Sequence, residues 1–125
     1  MTKASDLLEA EEIAFVRRAL LQWSGPAHCN DRLATGMGFA GESDLRVQAD
    51  RLAEALGSDL PMPAVDWART LITAEITFAS DLAGAGSEWR TVTGLDDAYS
   101  IEVLRSVQRK LGRTISPYYG GRPIE

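Results

Sequence analysis

Glu75 is the residue of this sequence whose surroundings most favour chemistry. A helical pattern begins at Pro63, and at about 100° per residue the side of that helix that carries Glu75 is apolar. The residues on this side are Ala64, Ala68, Leu71, Ile72, Phe78, Ala79 and Leu82, and those on the other side are Asp66, Thr70, Thr73, Thr77 and Ser80. A carboxylate on a buried face must be paired, protonated or directed at a ligand, because burying an unpartnered charge is costly.

Two kinds of role are compatible with Glu75. As a functional group it would be a general acid or base, or a cation ligand, in a cavity between helices, with Gln108 and the indole of Trp67 as the other candidate ligand-binding groups. As a structural group it would be satisfied by an Arg, a Trp N–H or Gln108 of a neighbouring helix, and we favour this interpretation. Asp81 lies more than about 90° around the helix, so the two carboxylates do not form a catalytic pair.

Cys29 is the single cysteine of the chain and His28 its single histidine. One cysteine cannot form an intrachain disulfide, so a reducing, cytoplasmic location is expected. A zinc site would need two further ligands, and adjacent side chains seldom converge as a Cys/His dyad requires. The sequence therefore predicts no metal and no cofactor, and we interpret Cys29 as a small buried residue.

Four residues in the C-terminal third would form a protein-binding cluster if they were exposed together: Trp89, Arg90, Tyr118 and Tyr119. Exposed aromatic and arginine side chains are common anchors of protein interfaces. The alternative, which we favour, is that these aromatic rings pack beneath a long loop.

The composition indicates one domain and disfavours two classes of partner. A chain of 125 residues with 45% hydrophobic content is long enough to bury a core. The formal net charge of −5 makes nucleic acid an unfavourable partner, because nonspecific affinity depends on Lys and Arg neutralising phosphates. No apolar run reaches the roughly 18 residues that a membrane helix needs, and the N-terminal residues lack the pattern of a signal peptide, so no membrane association is expected.

The segment Leu33 to Leu45, LATGMGFAGESDL, resembles the second helix-turn-helix of AraC-type regulators in its spacing. The matching positions are Ala34, Gly38, Phe39, Ser43 and Leu45. The resemblance implies DNA binding, but the second helix would present Glu42, Asp44 and Asp50 to the phosphates. We therefore interpret the segment as a helical corner whose glycines permit a tight turn.

Glycine and proline divide the chain into five helical segments. These segments run from residue 6 to 23, from about 31 to 35, from about 44 to 56, from 63 to near 84, and from about 97 to 111. No segment has a convincing strand pattern, the nearest being residues 89–93. The prediction is an all-α fold with a single compact domain of about five helices, packed as an orthogonal or irregular bundle over residues 1–112. Residues 113–125, rich in Pro, Tyr and Gly, are expected to form an irregular tail.

Two details of this prediction concern individual helices. Ser5 or Asp6 is expected to cap the first helix, and its first turns, with Glu9 and Glu12, are expected to extend beyond the core. The apolar stripe of the last helix is expected to consist of Ile101, Leu104, Val107 and Leu111.

Three functions follow from these patterns, in descending order of support. The first is a non-catalytic helical domain that binds a protein, with a second copy of the chain (a homodimer) as one candidate partner. The second is a small-molecule-binding domain or enzyme with an interior site around Glu75. The third, disfavoured by the acidic charge, is a DNA-binding regulator.

Overall fold

The computed structural model describes residues 1–24, 27, 29–80 and 89–115. This part of the chain is a compact all-α domain, as the sequence predicts. Its helices are α1 (Ala10–Leu21), α2 (Asp31–Gly36), α3 (Glu42–Gly57), α4 (Ala64–Ala79), α5 (Trp89–Thr93) and α6 (Asp97–Ile115), with short 3-10 turns at Ala4–Asp6 and Gln22–Ser24. Within these residues, β pairing is confined to one antiparallel bridge between Thr2 and Met62.

Helix α1 contacts α3, α4 and α6. Phe15, Val16, Ala19 and Leu20 are buried on one broad side of α1, whereas Arg17, Arg18 and Leu21 on the opposite side are exposed. Covering the apolar side removes its area from water. The remaining long helices therefore pack against this side of α1.

The first helix begins at Ala10, later than predicted. Asp59 accepts hydrogen bonds from the backbone N–H of Ser5 at 2.9 Å and from its hydroxyl at 2.6 Å, which holds the preceding chain in a separate turn. Glu9 and Glu12 then form a capping box, in which each side chain accepts from the backbone N–H of the other residue. The prediction that Glu12 projects beyond the core is wrong, because Glu12 is only 3% exposed.

The corner between α2 and α3 is confirmed. Asn30 caps α2 by accepting a hydrogen bond from the Leu33 N–H at 2.8 Å. Gly38 has a φ of 98°, which an L side chain rarely adopts, so glycine is required for the turn. Asp31 accepts from the Glu42 N–H at 2.8 Å, which ties the start of α3 back to α2.

Helix α4 buries the face that carries its threonines, contrary to the prediction. Thr70, Thr73 and Thr77 are fully buried together with Ala74. The Thr77 hydroxyl oxygen is 3.2 Å from the Ala19 carbonyl of α1 and 2.6 Å from the Thr73 carbonyl. A threonine can occupy such a position because its methyl group packs and its hydroxyl can bond to backbone carbonyl groups.

The predicted apolar face of α4 is consequently only partly covered. Ala68 and Leu71 are buried, whereas Ile72 and Phe78 are half-buried and Ala79 is exposed. Glu75 belongs to this face and is itself half-buried. The charge therefore lies at the edge of the core, where water reaches part of it.

The last third of the chain differs from the prediction in two places. Residues 89–93, the nearest candidate for a strand, form α5, in which the Thr93 hydroxyl donates to the Trp89 carbonyl at 2.6 Å. Helix α6 continues through Ile115, so residues 113–115 belong to it and not to an irregular tail. Burial of Leu111 and Ile115 explains the extension, because the core stabilises this last turn. Residues 116–125 lie outside the described residues.

Replacing Thr73 by valine is expected to raise the free energy of unfolding by about 0.5–1.5 kcal/mol. The Thr73 hydroxyl is buried and has no hydrogen-bond partner among the described residues, so a methyl group of similar size removes an uncompensated polar group. Thr77→Val is the matched control, because the Thr77 hydroxyl is bonded and its loss is expected to lower stability. Urea unfolding of both variants measures the difference. An equal loss of stability in the two variants would show that the Thr73 hydroxyl is satisfied.

Candidate functional site

Glu75 and Gln108 meet at the contact between α4 and α6. The Gln108 amide donates from Nε2 to Glu75 Oε2 at 2.6 Å, and its carbonyl oxygen accepts from Arg105 Nη1 at 3.0 Å. Gln108 is one of the structural partners considered above for Glu75, and the two side chains are hydrogen-bonded. The three side chains form a line in which a neutral amide connects a carboxylate to a guanidinium.

A surface groove of about 310 Å³, which we call the α4–α6 groove, adjoins this line of side chains. It is lined by Glu75, Phe78, Ala79, Ile101, Leu104, Arg105 and Gln108. Leu104 forms a largely buried floor, whereas Ile101 is 50% exposed, although it belongs to the predicted apolar stripe of α6. The groove thus combines an apolar lining with a polar rim and is open to solvent.

Trp67, the third predicted ligand-binding residue, does not line the α4–α6 groove. It is fully buried, and its indole N–H donates to the Thr2 carbonyl at 3.1 Å. This bond ties the N-terminal residues to α4 beside the bridge between Thr2 and Met62. Its assignment to the Glu75 site is wrong, because the indole already has a structural partner elsewhere.

Trp89 is not available for the predicted protein-binding cluster, because it is buried. Its side chain is fully buried, with ring centroids 5.3 Å from Phe15 and 5.5 Å from Phe78, and its indole N–H donates to Ser100 Oγ at 2.8 Å. Arg90 is exposed. Tyr118 and Tyr119 lie outside the described residues.

A cluster that the sequence prediction missed surrounds the buried Glu12. Ser106 Oγ donates to Glu12 Oε2 at 2.5 Å, and Lys110 Nζ forms a 2.7 Å ion pair with Glu12 Oε1. The same oxygen accepts from the Glu9 backbone N–H at 2.7 Å. Burial alone would raise the pKa of Glu12, but the hydrogen bonds from Lys110, Ser106 and Glu9, together with the charge of Lys110, lower it overall.

The Ser106 hydroxyl beside the Glu12 carboxylate resembles a catalytic nucleophile beside its base, but only in composition. A carboxylate whose pKa is lowered is a poorer base, and both oxygens of Glu12 are already occupied. The arrangement instead joins α1 to α6. Ser106 and Lys110 are one helical turn apart in the sequence. Side chains at this spacing lie on the same side of a helix and can both bind one carboxylate.

A second recess, of about 410 Å³, lies at the other end of α4. Its lining includes Met1, Leu60 and Met62, together with the ion pair of Arg51 and Asp66. The guanidinium holds both carboxylate oxygens of Asp66, at 3.1 and 3.0 Å. The two charges satisfy each other, and the pair connects α3 to α4 at the edge of the recess.

Of the two residues considered for a metal site or a nucleophile, the structure describes Cys29. Cys29 is half-buried, and its Sγ lies 3.1 Å from the Asn30 carbonyl oxygen. Burial raises the pKa of the thiol, which lowers its reactivity. His28 lies outside the described residues. Across the ranges that the structure describes, no three His, Cys, Asp or Glu side chains are grouped as a metal site would require.

Comparison with known proteins identifies no relative. No family model, no curated protein and no solved structure matches the chain. Among the helices described above, none combines the length and the apolar character needed to cross a bilayer.

Proposed function

We propose that this protein is a non-catalytic helical domain that binds a protein partner through the α4–α6 groove. One observation supports the proposal above others: the groove has apolar side chains that remain accessible at the surface of the domain. Ile101 is half-exposed and Phe78 half-buried, although the fully buried face of α4 contains three threonines. Apolar lining surrounded by polar groups is the arrangement found at protein interfaces.

The polar rim of the groove fits the same role. Glu75 and Arg105 are both bonded to Gln108, so their side chains are oriented before any partner arrives. Groups that are already ordered lose less entropy on binding, which increases the affinity obtained from the same contacts.

A protein partner fits the groove better than a small molecule does. A volume of about 310 Å³ is at the lower end for ligand sites, which usually enclose most of the ligand. Here the groove is open, and the Glu75 carboxylate already accepts a hydrogen bond from Gln108. Side chains of a partner can fill such a groove without being enclosed by it.

We propose the cytoplasm as the location, on the evidence of the single cysteine.

A photo-crosslinking amino acid placed at position 101 is expected to capture the partner, because Ile101 is half-exposed and lines the groove. The matched control is position 47: Val47 is 65% exposed but lies on α3, outside the groove. The two proteins would be irradiated in the cells that make them, and their adducts compared by mass.

An adduct at position 101 that is absent at position 47 and is abolished by Ala79→Asp supports the proposal, because Ala79 is exposed and lines the groove. Equal adducts at both positions, or none at position 101, would contradict it. Far-UV circular dichroism of Ala79→Asp tests whether loss of an adduct reflects loss of the fold.

A further inference from the structure

We infer that the occupant of the α4–α6 groove is a second copy of this chain, related by a two-fold axis. This inference rests on the proposed function and names its partner. In a two-fold interface the same patch serves both copies, so the patch must be complementary to itself. The α4–α6 groove meets that requirement in both its shape and its charges.

The shape requirement is met by a projecting side chain beside a recess. Ile101 is half-exposed on the α6 side of the groove. Ala79, on the α4 side, is exposed but small and leaves space next to Phe78. In a two-fold arrangement Ile101 of each copy enters the α4 side of the other, so both apolar surfaces leave water at once.

The charge requirement is met by one acid and one base on opposite sides of the groove. Glu75 is on α4 and Arg105 is on α6, and both line the groove. When the α4 side of one copy faces the α6 side of the other, each Glu75 meets Arg105 of the other copy. The contact then forms twice, because the axis repeats it.

These charges favour a second copy over a strongly charged partner. The whole chain carries a formal net charge of −5, which by itself would attract a basic protein. The groove, however, pairs one carboxylate with one guanidinium and thus offers a basic partner attraction and repulsion together. A partner surface that also carries one acid and one base can pair both charges of the groove. A second copy of this chain has such a surface.

Two charge-reversing variants test the inference. Glu75→Arg leaves only basic groups at the pair of positions 75 and 105, and Arg105→Glu leaves only acidic groups. Each variant alone places like charges opposite each other at two symmetric contacts, and is expected to weaken self-association about tenfold or more. An equimolar mixture of the two is expected to form a heterodimer, because every contact then joins opposite charges.

Sedimentation velocity of the wild type, each variant and the mixture, over micromolar to millimolar concentrations at low salt, gives the dissociation constants. Restored association in the mixture establishes that both variants are folded. Val47→Asp, a change on an exposed α3 residue outside the groove, is expected to dimerise like the wild type.

Four outcomes would overturn the inference: a wild type that stays monomeric, single variants that dimerise as well as the wild type, a mixture that associates no better than its components, or Val47→Asp that is equally impaired. If the wild type is monomeric while crosslinking at position 101 captures a different protein, the proposed function stands and the second copy is wrong. If position 101 captures nothing and the chain is monomeric, both are wrong.

Discussion

Replacing Glu12 by alanine is expected to lower the free energy of unfolding by about 2–4 kcal/mol. The substitution removes one carboxylate that accepts from Ser106, from Lys110 and from the Glu9 backbone N–H. It also leaves a cavity at a position that is 3% exposed. Lys110 keeps part of its hydration, because its side chain is 37% exposed, and this limits the loss. Chemical denaturation at neutral pH measures the effect.

Glu54→Ala is the matched control for this substitution. Glu54 is an exposed carboxylate on α3, so its removal is expected to change stability by no more than about 0.5 kcal/mol. A Glu12→Ala protein as stable as the control would show that the Ser106 and Lys110 contacts do not form in solution.

The same carboxylate predicts a dependence of stability on pH. The folded protein holds the pKa of Glu12 below its ordinary value of 4.5, so the ionised form stabilises the fold. This contribution is present above the pKa of the unfolded chain and is lost as the pH falls through the lower folded pKa. Asp44 and Asp59 also have lowered pKa values, because hydrogen bonds from Ala40 and Gln48 favour the Asp44 carboxylate and those from Ser5 favour that of Asp59.

Comparison with Glu12→Gln isolates the contribution of Glu12. Acidification below about pH 4.5 is expected to destabilise the wild type more than this variant, because only the wild type has a Glu12 to protonate. Unfolding measured as a function of pH tests this difference. Parallel curves for the two proteins would show that Glu12 does not contribute to the acid sensitivity.

Replacing Trp89 by alanine is expected to lower the free energy of unfolding by about 3–5 kcal/mol. The indole is fully buried and packs against Phe15 of α1 and Phe78 of α4, while its N–H donates to Ser100 of α6. One side chain therefore connects α5 to three other helices. Thermal and urea unfolding measure the loss.

Two further variants separate the contributions of Trp89. Trp89→Phe retains an aromatic ring but leaves the buried Ser100 hydroxyl without this donor, and is expected to cost about 1–3 kcal/mol. Arg90→Ala, at the exposed neighbouring position, is expected to be nearly neutral. If Trp89→Ala kept its stability but lost self-association, Trp89 would be an interface residue and the assignment to the core would be wrong.

Much of the local structure follows from the sequence because its causes are local. On α3, for example, Leu45, Ala49, Leu52 and Leu56 are all buried. Their spacing places them on one side of a helix in any environment. The Asn30 cap and the Gly38 turn are likewise set by single residues and their nearest neighbours. For Glu75 the sequence left an Arg, a Trp N–H, Gln108 and a ligand open as partners, and the structure shows the hydrogen bond with Gln108.

The tertiary structure alone decided which sides of these helices are buried. On α4 the larger apolar residues indicated one face, but the fold also buries Thr73, Ala74 and Thr77, and Thr77 contacts α1. Their small size matters only once neighbouring helices are beside them. Glu12 is buried because Ser106 and Lys110, 94 and 98 positions away in the sequence, supply its hydrogen bonds. Hydrophobic periodicity records the preferences of one helix, whereas burial depends on which neighbours the fold brings to it. For that reason the all-α class was determined by the sequence, while the groove between α4 and α6 appeared only in the folded protein.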